Sequence, residues 1–124
     1  MIIARNLLLA CFLTILVSGC ASYRTSSNIP DQPVSSTLWN EVKIFATGVV
    51  PDKKFKDLQR IEISIKKLTA FHADPTKEQA NAELKKRAAQ MGADAVVNVR
   101  YQSGVGFMTW GYIDAQGMGV KFLD

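Results

Sequence analysis

The fold is decided by residues 82–101, AELKKRAAQMGADAVVNVRY, where a helical repeat gives way to a strand repeat across one glycine. Leu84, Ala88 and Met91 recur at spacings of four and three, which places them on one face of a helix. Gly92 follows at the position where helices commonly end with a left-handed residue. The stretch therefore predicts a helix with one buried side that ends at a glycine.

The residues after this glycine alternate with a period of two. Val97, Val99 and Tyr101 share one parity, and the polar Asn98 and Arg100 take the other. An apolar side chain at every second position is typical of a strand with one face on a core and one in water. The sequence therefore predicts that a half-buried strand follows the helix directly.

Two overlapping signals mark where the helix begins. Asp74 can act as the N-cap with Pro75 at the first helical position, or Thr76 and Gln79 can form a capping box. Either arrangement satisfies amide groups that the first helical turn leaves without partners. The helix is expected to start between residues 74 and 77.

Strand patterns also occur before and after this unit. They cover residues 42–46, 61–66, 107–113 and 118–123, the last two read as a terminal hairpin that turns near residues 114–117. The apolar parity shifts after Ile65, which indicates a bulge near Lys66 and Lys67. The patterns predict an α+β fold with one main helix packed on a small antiparallel sheet.

Composition sets the scale of the molecule. The 124 residues are 48% hydrophobic and 21% charged, which suits one ordinary domain with a short appendage. The formal net charge of +4 makes the protein mildly basic. This charge is consistent with a surface that is simply solvated and with one that contacts anionic lipid.

The first residues look like an export signal. Arg5 precedes an apolar run over residues 7–17, which is about half the length that a spanning helix needs. The pattern predicts a signal peptide of residues 1–19 that is removed from the mature protein.

The end of this signal resembles the lipobox of bacterial lipoproteins. Val17, Ser18 and Gly19 stand before Cys20, whose sulfur would carry a diacylglycerol group. An aspartate directly after the cysteine would resemble a signal that retains lipoproteins at the inner membrane. Residue 21 is alanine, so this signal is absent. We therefore expect a lipid-anchored protein in the cell envelope, on the periplasmic face of the outer membrane.

The remaining organisation follows from this cleavage. Cys11 lies in the segment predicted to be removed, so the mature chain cannot form an internal disulfide. Residues 20–38, the lipidated cysteine and a Ser-, Thr- and Pro-rich stretch, are expected to form a flexible tether. The folded domain is assigned to residues 39–124.

The helix-to-strand stretch resembles the YbjQ-like family, above all in Gly-Ala-Asp-Ala-Val-Val at residues 92–97. A similar segment occurs in the lipoprotein RcsF and its relatives. The resemblance implies a small α/β domain with a helix on an antiparallel sheet. YbjQ-like proteins are labelled heavy-metal binders and associated with ring oligomers, and RcsF relatives are surface sensors whose disulfides have no counterpart in this domain.

The residues themselves favour neither a metal site nor a catalytic site. His72 is the only histidine, and pairing it with Asp74 or Glu78 gives fewer ligands than a structural metal site uses. The other acidic residues are scattered, and no cofactor motif is complete. We therefore predict no catalytic residues, no metal and no cofactor, with a small envelope enzyme of unknown reaction as the alternative.

A loose basic cluster at residues 53–60 surrounds Phe55. Export argues against nucleic acid as a partner, which leaves a solvated loop or contact with anionic lipid or glycan.

The last apolar segment is the strongest hint of a binding surface. Met108, Trp110 and Tyr112 occupy one parity of a strand whose other parity, with Phe107 and Ile113, is apolar as well. Such a strand is either buried on both sides or lies in an interface with a second copy or an envelope protein. The sequence predicts a non-enzymatic binding, sensor or assembly module held at a membrane.

Overall fold

The computed structural model describes residues 23–69, 71, 73–105 and 111–123, which form one five-stranded sheet and two helices. In chain order the elements are β1 (Tyr23–Ser27), α1 (Ser36–Asn40), β2 (Lys43–Ala46), β3 (Phe55–Lys67), α2 (Lys77–Gln90), β4 (Ala95–Gly104) and β5 (Tyr112–Phe122).

The sheet is mixed, with the strand order β1-β3-β5-β4-β2. Its pairs are antiparallel except for β2 and β4, which run parallel. Parallel neighbours need a long crossover, and β3 with α2 supplies one between these two strands. The predicted α+β class, with one main helix on the sheet, is confirmed, although one strand pair is parallel.

Helix α2 has the predicted capping box. The Thr76 hydroxyl accepts from the Gln79 amide at 3.2 Å, and the Gln79 side chain accepts from the Thr76 amide at 2.7 Å. Of the two possible caps, the chain uses the one that satisfies two amide groups reciprocally. Gly92 has φ +80, as predicted for the end of the helix.

The core lies between α2 and one face of the sheet. Ala80, Leu84 and Ala88 are fully buried against the isoleucines of β3 and the centre of β5. A Cβ added at Gly117 would lie 2.6 Å from Val96 Cγ1, so glycine lets the β4 side chains pack across β5. Small residues on both elements therefore bring the helix close to the sheet.

The Gly-Ala-Asp motif after α2 has a structural role. Asp94 accepts a hydrogen bond from the Phe122 amide at 2.9 Å, and its own amide donates to the Val120 carbonyl at 2.8 Å. The Asp94 carbonyl also accepts from the Lys43 amide at 3.3 Å. The motif thus joins the end of the helix to β5 and β2.

A bulge in β4 changes the predicted faces. Asn98 has φ 56, and the register with β5 shifts between Val97 and Arg100. Val99 consequently faces the helix, whereas Val97 packs on the opposite side of the sheet. The prediction that Val97 and Val99 share a face is wrong, because the bulge inserts one residue between them.

The predicted terminal hairpin is also wrong. Residues 114–117 lie inside β5, which pairs with β3 on one side and β4 on the other. The bulge predicted near Lys66 and Lys67 is not at that position. β3 ends at Lys67, so the change in apolar parity marks the end of the strand, and the irregularity in the pairing of β3 with β5 lies between Asp57 and Gln59.

The tether predicted over residues 20–38 is corrected from Tyr23 onward. Tyr23–Ser27 is an edge strand paired with β3, and Ile29 is buried in the core. The buried Arg87 donates to the Ile29 carbonyl at 2.8 Å, and hydrogen bonds from Gln90 and Lys86 lower the pKa of Asp31. Serine and threonine suit an exposed edge strand, so composition alone misread an ordered segment as a linker.

Candidate functional site

The sheet has one face that α2 does not cover, and we call it the open face. It carries the alternate side chains of the three central strands, opposite the buried Ile61, Ile63 and Ile65. Its polar members, including two from β1, are Arg24, Ser26, Arg60, Glu62, Ser64, Lys66, Arg100, Gln102, Tyr112, Asp114 and Gln116.

A groove of about 660 Å³ lies on this face, among the central residues of β3, β4 and β5 and the end of β1. Asp114 is at its centre, because the register places it opposite Ser64 on one side and Gln102 on the other. Lys66 and Arg100 also line the groove. The groove therefore offers both cations and a carboxylate to a bound molecule.

The Asp114 carboxylate is the most unusual group in the groove. Its Oδ1 atom is buried and has no hydrogen-bond partner among the described residues. A buried acceptor without a partner costs about 1–3 kcal/mol, so a ligand that displaces the covering side chains and donates to this atom would recover that free energy. Asp114 is thus suited to receive a hydrogen bond from a ligand.

The charges of the open face are only partly compensated. Arg60 forms an ion pair with Glu62 at 3.1 Å and also donates to Gln116. Arg24 and Lys66 lie directly opposite each other on β1 and β3. Like charges in opposed positions are unfavourable in water, so this edge of the face favours an anionic neighbour.

Tyr112, one of the three residues of the predicted interface, lies on the open face. It is half-buried, it opposes Lys66, and its hydroxyl would be 3.5 Å from a Cβ added at Gly104. The other predicted interface residues, Met108 and Trp110, lie outside the described residues, as do Cys20 and the lipobox residues Val17, Ser18 and Gly19.

The other end of the open face is apolar and closed. Ala95, Val97 and Val120 are buried there beneath the partly buried side chains of Phe45, Phe55, Met118 and Phe122. Lys53, from the predicted basic cluster, lies 5.4 Å from the centre of the Phe122 ring. Part of that cluster therefore packs on an aromatic ring, which agrees better with a structural role than with a binding loop.

Sequence reasoning did not find the groove. It interpreted Asp114 as part of a turn, whereas the structure places it in the central strand of the sheet. The signal was the alternation of Tyr112, Asp114, Gln116 and Met118 with Ile113, Ala115 and Gly117, which is a half-buried strand pattern. Gly117 in that stretch, and Gly119 just after it, hid the pattern.

The described residues do not fit a metal centre. No group of three or more histidine, cysteine, aspartate or glutamate side chains comes together within the described ranges. Asp74, one of the ligands considered for His72, is paired with Lys67 Nζ at 2.5 Å, and His72 itself is outside the description. Carboxylates this dispersed do not supply the three or four ligands of a closed site.

Two further findings bear on the class of protein. Burial raises the pKa of Tyr101, so this phenol stays protonated and donates a hydrogen bond to Asn81 at the edge of the core.

Within the described part of the chain, no helix combines the length and the apolar character needed to cross a membrane. The fold and the open face define a small α+β binding module.

The family follows from a comparison of sequences. Residues 25–122 match the model of the YbjQ family, which carries the description "Putative heavy-metal-binding", and the chain belongs to this family. No curated protein and no solved structure matches the chain. The match begins within β1, in agreement with a folded unit that includes this strand.

The dispersed carboxylates lead to a prediction about metal. A chelator such as EDTA is expected to leave the thermal unfolding midpoint unchanged, because the core described above closes without a metal ligand set. Thermal unfolding followed by circular dichroism, with and without EDTA, checks this. A midpoint that falls on chelation, and no longer does so in a His72→Ala variant, would place a metal at His72 and contradict the prediction.

Proposed function

We propose that this protein is a bacterial envelope lipoprotein, anchored through Cys20, that binds a protein partner on its open face. One observation carries the binding part of the proposal: the buried, unpartnered Oδ1 of Asp114 at the centre of a groove of about 660 Å³. A polypeptide offers amide and side-chain donors that can hydrogen-bond this atom once the side chains over it shift.

The side chains around the groove favour a protein as the partner. Arg100 in the groove, and Tyr112 on the same face of the sheet, belong to the residue types that are enriched where proteins meet. Ser64, Gln102 and Gln116 can donate and accept hydrogen bonds, which suits the polar backbone of another chain. A second copy of this chain is one such partner, and the sequence pattern includes Met108 and Trp110 with Tyr112 in the proposed interface.

Support for the anchor comes from the first residues of the sequence. Arg5, the apolar run and Val17-Ser18-Gly19-Cys20 agree in register with a lipoprotein signal. Ala21 after the cysteine favours the periplasmic face of the outer membrane. A sensor or assembly role fits a binding module at this location.

The proposal is tested by photo-crosslinking in cells that make the full chain. A photoreactive phenylalanine analogue replaces Gln102 on the open face and, as a matched control, Glu78 on the exposed side of α2. We expect a discrete crosslinked band from position 102 and none from position 78. A product of twice the mass of the chain would identify the partner as a second copy.

Two substitutions then link the crosslink to the groove. Asp114→Asn keeps the shape of the side chain but removes its charge, and it should lower the yield at position 102 about tenfold, since a charge-assisted hydrogen bond is worth about 1.5–3 kcal/mol. Tyr112→Ala should lower the yield as well. Equal yields from positions 102 and 78, or a yield that ignores both substitutions, would contradict binding at the open face.

A further inference from the structure

We infer that one end of the sheet docks directly on the surface of an anionic membrane, and this inference rests on the proposed anchor at Cys20. The end in question, which we call the anchor end, comprises the first residues of β1 and β5 and the last residues of β3 and β4. The docking surface consists of Arg24, Lys66, Leu68, Phe71 and Val105.

The pairing of the strands brings these elements together. Tyr23 lies opposite Lys67, and Lys66 lies opposite Tyr112, which in turn opposes Gly104. The Tyr23 hydroxyl donates to the Ala73 carbonyl at 2.7 Å, so the segment after β3 folds back beside the start of β1. Leu68, Phe71 and Val105 therefore extend from the same end of the sheet.

The ordered strand holds this end close to the bilayer. β1 begins at Tyr23, three residues after Cys20, and three extended residues reach at most about 10 Å. A long tether would let the domain tumble freely, but a connection this short keeps the anchor end near the headgroups of the lipids. The short distance between Cys20 and the folded domain follows from the start of β1 at Tyr23, and the sequence pattern did not predict this strand.

Three of the eight exposed large apolar side chains of the described residues lie at this end. Phe71 is 97% exposed, Val105 is 75% exposed and Leu68 is 41% exposed. Leu68 and Val105 follow directly on β3 and β4, and Phe71 lies four residues beyond the end of β3. Exposed apolar groups beside a lipid anchor can enter the interfacial layer of a bilayer, where their contact with water is reduced.

The charges of the anchor end suit anionic headgroups. Arg24 and Lys66 are both exposed and directly opposed, and neither forms an ion pair within the described residues. Asp74, which would oppose an anionic surface, is paired with Lys67. Lys77 and Glu78, in the first turn of α2, add one charge of each sign. The remaining excess of positive charge attracts an anionic lipid surface.

Docking in this way would orient the proposed binding face. The strands would point away from the membrane, with Lys54, Asp94 and Leu123 at the far end. The groove around Asp114 would then open sideways, above the lipid surface, where a partner in the envelope can reach it.

The test uses the full lipidated chain in vesicles of phosphatidylethanolamine and phosphatidylglycerol. Cys20 is acylated and Cys11 belongs to the removed segment, so a new cysteine is the only free thiol for a fluorophore. A probe on Phe71→Cys should be strongly quenched by nitroxide-labelled lipids, whereas a probe on Lys54→Cys should not. Vesicles of phosphatidylcholine alone should give weaker quenching at position 71.

Matched variants separate specific docking from mere proximity. Val105 and Val50 are both 75% exposed, but Val50 lies in the loop between β2 and β3. Val105→Asp should reduce the quenching at position 71, and Val50→Asp should leave it unchanged. Removing Arg24 or Lys66 by substitution with glutamine should lower the ratio of docked to undocked protein about fivefold for each cation.

The outcomes distinguish this inference from the proposed function. Incorporated protein with equal quenching at positions 71 and 54 would overturn the docking and leave the anchor intact. A chain that carries no lipid and does not enter the vesicles would overturn the anchor and the docking together. Strong quenching at position 71 alone, lost in Val105→Asp and retained in Val50→Asp, is the result expected.

Discussion

Replacing Arg87 by methionine is expected to lower the free energy of unfolding by about 3 kcal/mol, a large fraction of the stability of a small domain. Arg87 is 5% exposed. Its guanidinium donates to Glu83 and to the Ile29 carbonyl, each at 2.8 Å. Methionine fills much of the space but leaves a half-buried carboxylate and a carbonyl without their donor.

Urea unfolding followed by circular dichroism measures this effect. Lys85→Met, on the same helix but with its side chain partly exposed, serves as the control and should change the free energy by no more than about 0.5 kcal/mol. The double variant Arg87→Met with Glu83→Leu should lose less stability than Arg87→Met alone, because no carboxylate is then left unpaired. If Arg87→Met lowered the free energy of unfolding no more than Lys85→Met does, the contacts between residues 29–31 and α2 would not contribute to stability, and the prediction would be wrong.

Arg87 also shows what the sequence could not reveal. The periodicity of Leu84, Ala88 and Met91 predicted the buried face of α2 correctly, because helical spacing is a local property. A basic residue in the last turn of a helix is favourable on electrostatic grounds alone, so the local sequence gives no separate sign that Arg87 is buried. Its partner, the Ile29 carbonyl, is 58 residues away in the chain, and no local pattern reports such a contact.

The candidate site illustrates the same limit in β5. A strand in the centre of a sheet is defined by two neighbours, here β3 and β4, and its own sequence holds glycines that also occur in turns. A side chain at Gly117 would collide with Val96 on the neighbouring strand, so this glycine is required by tertiary packing and not by a turn. Alternation could have predicted the polar face of Asp114, but the central position of that residue depended on the topology.

The bulge at Asn98 had a different cause. One residue in the left-handed region reverses the parity of the rest of β4, and asparagine adopts that conformation more readily than most residues. The regular alternation of apolar and polar residues from Val97 to Tyr101 gave no sign of the extra residue that forms the bulge. A strand pattern therefore predicted the strand correctly and its faces only in part.

Cys20→Ala is expected to abolish both lipid attachment and membrane association. Each buried methylene contributes about 0.8 kcal/mol, so two or three acyl chains make release from the bilayer negligible, and the variant has none. Growth with labelled fatty acid, followed by separation of membrane and soluble fractions, measures both effects. Cys11→Ala is the matched control, since it changes the only other cysteine and should leave labelling unchanged.

The mass of the amino-terminal peptide of the mature protein tests the proposed lipid anchor most directly. We predict a peptide that starts at Cys20, with residues 1–19 removed and a diacylglycerol group on the cysteine sulfur. A mature chain that starts elsewhere, or an unmodified Cys20 in a protein that remains soluble, would contradict the claim that this binding module works at a membrane.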